Sequence, residues 1–301
     1  MIYHSYSSRN KRSYQEDCFF IKDNFKNNPI NLYDYSDTDN FTKLDISLFG
    51  VFDGHGGSDI SLFLNNELPK YFYKKNIITD NIPKPTIKYS NYIFTTFKDI
   101  HDKLNKTNIN SNSQGSTVCI CFIYTCRDKL CITSSWIGDS RAIACNQYLI
   151  AESLTLDHKP NNILEKYRIE AAGGSITNYI GDVPRINGVL AVSRSFGDSD
   201  QSPYVTSRPD IIHRFCNYKF IIVATDGLWD VMNNQDVVDF ILEYIFKNSI
   251  NIVKTTSEDI DTNIAYLLCN KAIELGSNDN ISIIICFIDV TEDKYKSYLI
   301  P

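Results

Sequence analysis

The chain has 301 residues, of which 43% are hydrophobic, and its 36 acidic and 30 basic side chains give a formal net charge of −6. A chain of this length buries about three quarters of the surface that its unfolded form exposes, so we expect one large domain or two small ones. The acidic balance and the lack of a dense run of Lys and Arg argue against nucleic acid as a partner. No uninterrupted apolar stretch is long enough to cross a bilayer, so we expect a soluble protein without a membrane partner.

Strands are predicted where β-branched and aromatic residues are dense and turn formers follow. In chain order these segments are 46–52, 116–125, 130–144, 220–224 and 281–290. Apolar residues at helical spacing predict helices over 58–75, 89–105, 161–172, 234–246 and 258–275. Strands and helices each come in adjacent pairs without strict alternation. This order favours an α+β fold with antiparallel sheets and segregated helices.

The nine cysteines are an odd number, and four of them lie in apolar, strand-like runs. These four are Cys119, Cys121, Cys131 and Cys286. A free thiol in such a run behaves as a small hydrophobic residue. We interpret the four as reduced core residues and expect a cytoplasmic or nuclear protein.

Two apolar runs end in an Asp-Gly pair, at Asp53 and at Asp226. One such pair is an ordinary turn signal. A carboxylate at the end of a buried strand is nevertheless costly to desolvate unless a positive charge meets it. Two such pairs, together with Glu16, Asp17 and Asp279, favour a shared metal site. Oxygen ligands select Mg²⁺ or Mn²⁺, and no Cys or His cluster has the spacing of a zinc site.

Nine short motifs run from residue 12 to residue 280. They are Arg12-Ser-Tyr-Gln-Glu16-Asp17, Asp53-Gly-His55-Gly-Gly57, Gly115-Ser-Thr117, Gly138-Asp139-Ser-Arg141, Leu154-Thr-Leu-Asp157-His-Lys-Pro160, Arg185-Ile-Asn-Gly188, Leu190-Ala-Val-Ser-Arg-Ser-Phe-Gly-Asp198, Asp226-Gly-Leu-Trp-Asp230 and Asp279-Asn280. In this order they resemble the metal-dependent protein phosphatases of the protein phosphatase 2C family. The resemblance implies a four-layer sandwich of two packed antiparallel sheets with helices on each outer side. It implies a catalytic domain over 1–290 and a short tail over 291–301.

The resemblance also implies a protein serine/threonine phosphatase that hydrolyses phosphoserine and phosphothreonine with a metal-activated water at a two-ion Mg²⁺ or Mn²⁺ centre. Asp53 would bridge both ions, and Asp226 and Asp279 would complete the first ion's ligands. Glu16 and the Gly54 carbonyl would hold the second ion.

Further acidic residues surround this centre in the resemblance. Asp17 would orient water bound to the metal. Asp139 and Asp230 resemble the acidic groups of a third, weaker metal position.

Two further residues are predicted to act on the substrate. Arg12 stands four residues before Glu16, and in an extended segment an even separation places both on one face. Its planar guanidinium suits two phosphate oxygens, although an ordinary surface Arg is the simpler interpretation. His55, between glycines and close to Asp53, would protonate the leaving oxygen, although a single His is usually structural.

Two other functions fit parts of the sequence. Cys121 and Arg127 have the Cys-x5-Arg spacing of cysteine-dependent phosphatases, but the stretch between them is β-branched and aromatic and lacks the glycines of a phosphate loop. A non-enzymatic pseudophosphatase-type binding protein would share the fold, but every proposed side-chain ligand here is still an acid. We expect phosphoproteins as substrates and a monomer in solution. The sequence does not identify the phosphoprotein.

Overall fold

The computed structural model describes residues 1–23, 46–74, 87–126, 129–248 and 262–288. The strands are β1 (Ile2–Ser8), β2 (Cys18–Lys22), β3 (Ile46–Phe52), β4 (Gly54–His55), β5 (Gly115–Ser116), β6 (Val118–Cys126), β7 (Lys129–Ile137), β8 (Arg141–Asn146), β9 (Ala151–Ser153), β10 (Ile176–Thr177), β11 (Arg185–Ile186), β12 (Phe196–Gly197), β13 (Asp210–Phe215), β14 (Tyr218–Ala224) and β15 (Ile281–Phe287). The helices are α1 (Asp59–Lys74), α2 (Ile87–Leu104), α3 (Ile163–Ala171), α4 (Asp226–Trp229), α5 (Asn234–Asn248) and α6 (Ile264–Glu274).

Two antiparallel five-stranded sheets form the centre of the molecule. Their strand orders are β1-β15-β14-β8-β9 and β13-β7-β6-β3-β2. The sheets pack face to face through a shared core that contains Phe49 and Val51 of β3 and Ile284 of β15. Leu48 and Phe52 point to the opposite face of β3, because successive side chains of a strand alternate between its two faces.

Helices cover the outer face of each sheet. On one side α1 and α2 pack on β3 and β6 through residues such as Leu64 and Phe97. On the other side α5 and α6 pack on β14 and β15 through residues such as Ile241 and Leu268. The order helix, sheet, sheet, helix is the predicted four-layer α+β sandwich.

The predicted strand over 130–144 is wrong as a single strand. The run is divided at Gly138, whose φ of 90° ends β7, and β8 starts at Arg141. The two strands belong to different sheets. Both strands are mostly buried, so burial shows no boundary, and the Gly-Asp pair between them is the local signal.

Other predicted boundaries need smaller changes or fall outside the described residues. Helix α6 begins at Ile264, with Asn263 as its N-terminal cap, and the predicted start at 258–261 lies outside the described residues. The predicted tail over 291–301 and Arg127 also lie outside them. Cys121 is fully buried in β6, and burial raises the pKa of its thiol to about 12, which is the opposite of what a nucleophilic cysteine needs.

Candidate active site

Three acidic residues from distant parts of the chain meet at one edge of the sandwich. Asp53 follows β3, Asp139 lies in the turn between β7 and β8, and Asp226 starts α4 directly after β14. One carboxylate oxygen from each lies within 4.8 Å of the others. Strands β3 and β7 belong to one sheet and β14 to the other, so both sheets contribute to this acidic cluster.

The backbone at Asp53 is held by Thr117. The Asp53 N–H donates to Thr117 Oγ1 at 3.1 Å, and the Thr117 N–H donates to the Asp53 carbonyl at 2.9 Å. Burial, followed by neighbouring negative charges that include Asp139, raises the pKa of Asp53 well above its usual value. The pKa of Asp226 is raised in the same way, by burial and then by Asp53. Such crowded carboxylates are stable as anions only beside positive charge.

Asp17 contributes a buried carboxylate oxygen that meets no hydrogen-bond donor among the described residues. Its Oδ2 accepts a hydrogen bond from Thr225 Oγ1 at 2.9 Å. Its Oδ1 is buried and has no hydrogen-bond partner within the part of the chain that the structure describes. Burial raises the pKa of Asp17 to about 8. An orphaned carboxylate oxygen beside an acidic cluster fits a site for a hydrated divalent cation.

The backbones of Glu16 and Gly54 lie in close contact. A Cβ on Gly54 would lie 2.5 Å from the Glu16 carbonyl oxygen, so the close approach needs glycine. Asn280 fixes the segment, because its Oδ1 accepts the Glu16 N–H at 2.8 Å and its Nδ2 donates to the carbonyls of Arg9 and Tyr14 at 3.0 Å. Asn280 belongs to one of the nine motifs, but the sequence predicts no role for it.

Arg12 reaches the site from a turn, and the prediction that it lies in an extended segment is wrong. Strand β1 ends at Ser8, and the Arg12 N–H donates to the Arg9 carbonyl at 3.2 Å. The Arg12 guanidinium donates from Nη2 to Asp279 Oδ2 at 2.5 Å. Asp279 is therefore ion-paired here, outside the three-carboxylate cluster. The other guanidinium N–H groups remain for further acceptors, since the side chain is 52% exposed.

Lys159 is a positive charge inside the site that sequence reasoning missed. Its Nζ donates to Asp139 Oδ2 at 3.0 Å and lies 3.9 Å from Asp230 Oδ1. Burial lowers the pKa of Lys159, but the charges of Asp139 and Asp230 outweigh it and raise that pKa above its ordinary value. Burial also raises the pKa of Asp230. The sequence signal for Lys159 was the motif that contains it. That motif does not indicate the partners of Lys159, which lie far away in the sequence.

His55 is paired with a second missed residue, Asp198. The His55 Nε2 lies 2.8 Å from Asp198 Oδ2 and 3.0 Å from Asp198 Oδ1, and Ser195 Oγ donates to the same carboxylate. The small sheet β12-β5-β4 brings the two together across Gly115. A Cβ on Gly115 would lie 2.1 Å from Asp198 Oδ2 and 2.3 Å from His55 Nε2, so only glycine leaves room for the pair.

Comparison with known proteins identifies the family of this chain. The family model for protein phosphatase 2C matches residues 3–281. The chain belongs to the protein phosphatase 2C family. The probable protein phosphatase 2C 44 of Oryza sativa subsp. japonica is 37% identical over 199 residues, which cover 65% of this chain and 59% of the rice protein. The probable protein phosphatase 2C 39 of Arabidopsis thaliana is 34% identical over 251 residues, which cover 80% of this chain and 75% of that protein.

Solved structures share the protein phosphatase 2C fold. A sex-determining protein of C. elegans aligns with a TM-score of 0.77 and 24% identity, over 99% of this chain and 67% of the other. A serine-threonine phosphatase 2C of Toxoplasma gondii aligns with a TM-score of 0.72 and 22% identity, over 95% and 94%. The predicted fold is therefore confirmed. Membership of the protein phosphatase 2C family also confirms the predicted enzyme class, a metal-dependent protein serine/threonine phosphatase. Within the described residues, no helix is long and apolar enough to span a membrane.

Proposed function

We propose that the chain hydrolyses phosphoserine and phosphothreonine in phosphoproteins at a centre for two Mg²⁺ or Mn²⁺ ions. The observation that carries the proposal is the meeting of Asp53, Asp139 and Asp226 within 4.8 Å, from both sheets. Hard oxygen donors of this kind suit Mg²⁺ and Mn²⁺. Bound ions would lower the pKa of water and neutralise charge on the phosphate.

The residues around the cluster have distinct tasks in this proposal. Asp226 and Asp279 would hold one ion, Glu16 and the Gly54 carbonyl would hold the other, and Asp53 would serve both. A third, weaker position would use the remaining acids of the site, which are Asp139 and Asp230.

Asp17 orients the attacking water. Its Oδ1, buried and without a partner among the described residues, would accept a hydrogen bond from that water. Its Oδ2 is held by Thr225, so the carboxylate cannot rotate freely. The prediction of an orienting role from the resemblance is thus supported by a physical reason.

Arg12 and His55 act on the substrate in this proposal. The Arg12 guanidinium keeps one N–H group on Asp279 and offers the rest of its planar fork to phosphate oxygens. His55 holds Asp198 through Nε2, which leaves Nδ1 to deliver a proton to the oxygen of the leaving serine or threonine. A pseudophosphatase-type binding protein is not favoured, because the cluster retains its carboxylates.

Activity against defined phosphopeptides tests the proposal. Protein freed of metal is assayed with phosphoserine, phosphothreonine and phosphotyrosine peptides, with and without millimolar Mn²⁺ or Mg²⁺. We expect hydrolysis of the first two, dependence on the added ion, and loss of activity with EDTA. Full activity in metal-free protein would contradict the proposed mechanism, and turnover that a thiol alkylator abolishes would point to cysteine chemistry instead.

A further inference from the structure

Lys159 places a fixed positive charge against the acidic side of the proposed metal centre. Its ammonium donates to Asp139 Oδ2 at 3.0 Å, and Asp139 belongs to the three-carboxylate cluster. The same ammonium lies 3.9 Å from Asp230. These two acids are the ones that belong to the third, weaker position in the proposed function. The ammonium group of Lys159 thus lies where a divalent cation would bind.

The neighbouring residue ties Lys159 to the turn that carries Asp139. The His158 N–H donates to the Gly138 carbonyl at 2.9 Å, and the Gly138 N–H donates back to His158 Nδ1 at 3.2 Å. The His158 ring stacks on Trp136 with ring centroids 5.7 Å apart. Because His158, the neighbour of Lys159, is joined to Gly138 by these two hydrogen bonds, the backbone that carries Lys159 is held beside the turn that carries Asp139. The fold therefore favours the pairing of Lys159 with Asp139.

The exposure of the two partners shows which one can move. The Lys159 side chain is 31% exposed, whereas the Asp139 side chain is 4% exposed. The Lys159 side chain has a flexible four-carbon chain and can carry its charge into solvent, but Asp139 is held inside the site. A divalent ion that takes Asp139 must therefore displace the ammonium or bind beside it, and either case weakens its binding.

We propose that Lys159 is an internal competitor for divalent cations on the Asp139–Asp230 side of the centre. It neutralises this side when no ion is bound and lowers the affinity of the third position. The inference rests on the proposed function, because it assumes that the acidic cluster binds Mg²⁺ or Mn²⁺. It adds Lys159 as a residue that determines how many divalent ions the centre binds at a given concentration of those ions.

Calorimetric titration of the whole chain with Mn²⁺ tests the inference. The proteins are wild type, Lys159→Met, Lys159→Arg and a control, Lys166→Met. Lys166 lies on α3 and pairs with Glu170 at 3.7 Å, so the control removes the same charge outside the site. We expect Lys159→Met to bind its weakest Mn²⁺ about tenfold or more tightly, the scale on which a neighbouring charge shifts an ionic equilibrium. Lys159→Arg and Lys166→Met should stay close to wild type.

Thermal melts give a second readout that does not depend on activity. Without metal, Lys159→Met loses the charge that neutralises Asp139, so its Tm in EDTA should fall. Saturating Mn²⁺ should restore more stability to Lys159→Met than to wild type. If Lys159→Met does not fold in EDTA, Lys159→Gln takes its place, since it keeps a polar group at the site.

The outcomes separate this inference from the proposed function. Absence of Mn²⁺ binding in the wild type would contradict the metal centre itself. Mn²⁺ binding in the wild type, with equal or weaker affinity in folded Lys159→Met, would overturn only the role of Lys159. An equal gain in affinity from Lys166→Met would also overturn it, because a general charge effect would then explain the result.

Discussion

The pair formed by Asp198 and His55 shows how one buried carboxylate can orient a histidine ring. Asp198 is 5% exposed and receives hydrogen bonds from His55 Nε2 and Ser195 Oγ. A carboxylate on one ring nitrogen fixes the tautomer and the direction of the imidazole. Asp198 does not touch the acidic cluster in any described contact, so in the proposed function it is a positioning residue.

The first prediction compares substrates with good and poor leaving groups. A serine alkoxide needs a proton on departure far more than a nitrophenolate does. We expect His55→Gln to lower kcat on a phosphoserine peptide by about 10² to 10⁴, the usual contribution of a positioned acid, and to lower kcat on p-nitrophenyl phosphate much less. Asp198→Asn should show the same pattern with a smaller loss. Steady-state kinetics on both substrates, with Mn²⁺ affinity measured alongside, provide the test.

Equal losses on both substrates for His55→Gln, with Mn²⁺ still bound, would show that His55 is not the leaving-group acid. Arg12→Ala is the matched contrast, since lost phosphate binding should reduce activity on both substrates alike. A pattern in Asp198→Asn like that of Arg12→Ala would remove Asp198 from the positioning role.

At the residue scale, the sequence identified acids more readily than their partners. Asp53 and Asp226 stand out because each ends an apolar run in an Asp-Gly pair. Lys159 and Asp198 carry no such local sign, since their meaning depends on Asp139 and His55, which lie far away in the chain. The roles of the site residues and the cytoplasmic or nuclear location stay predictions.

At the scale of elements, the turn between β7 and β8 joins the two sheets and carries Asp139. Gly138 in this turn has φ of 90°, and a Cβ there would lie 2.4 Å from Thr117 Cγ2. Thr117 in turn holds the backbone of Asp53. Packing at one glycine therefore affects two acids of the cluster.

Replacement of Gly138 by alanine tests this coupling. The added methyl group must push Thr117 aside in a buried region, on top of the cost of the positive φ. We expect Gly138→Ala to lower the free energy of unfolding by about 1–3 kcal/mol more than its control does, and to weaken Mn²⁺ binding. The control is Gly173→Ala, because Gly173 has a similar φ of 88° and a Cβ added there would meet no atom of the described residues within 4 Å. Denaturant unfolding and calorimetry measure both effects.

A loss of stability equal to that of Gly173→Ala, with Mn²⁺ binding unchanged, would contradict the steric coupling through Thr117. The comparison removes the backbone contribution, since both glycines have φ near 90°. What remains is the contact between the new methyl group and Thr117.

The elements also show where sequence patterns cannot determine topology. Helix periodicity located α1, α2, α3 and α5 to within about two residues, the usual error of helix boundaries. The division of 130–144 was missed because β7 and β8 are both mostly buried, although they enter different sheets. Strand order depends on packing between distant segments, so local propensity does not contain it.

At the scale of the whole molecule, the carboxylates of the acidic cluster come from both sheets and repel one another when no metal ion is bound. Asp53 and Asp139 come from one sheet and Asp226 follows a strand of the other. Burial and neighbouring charges raise the pKa of Asp53 and of Asp226, and burial raises that of Asp17 to about 8. The folded state therefore keeps protons at pH values where the unfolded state has lost them.

The sign of the pH dependence follows from this difference. A carboxyl group whose pKa is raised by folding does not destabilise the protein below its unfolded pKa, near 4, and destabilises it increasingly as the pH rises towards its folded pKa. In EDTA we expect the Tm to fall between about pH 5 and about pH 8. Saturating Mn²⁺ should reduce this fall, because the cation takes the place of the protons.

The Asp226→Asn variant isolates the contribution of one charge to this behaviour. Asparagine keeps the shape of the side chain and removes one carboxyl group whose pKa is raised by burial and then by the charge of Asp53. In EDTA at about pH 8 we expect a Tm higher than that of wild type by about 2 °C or more, and a shallower dependence on pH. With Mn²⁺ the order should reverse, since the variant lacks one ligand charge. The control is Asp182→Asn, because Asp182 pairs with Arg185 on the surface and its pKa is lowered instead of raised. A clearly less stable Asp226→Asn in EDTA, or a pH profile parallel to that of wild type, would show that repulsion among these acids does not limit the stability of the metal-free protein.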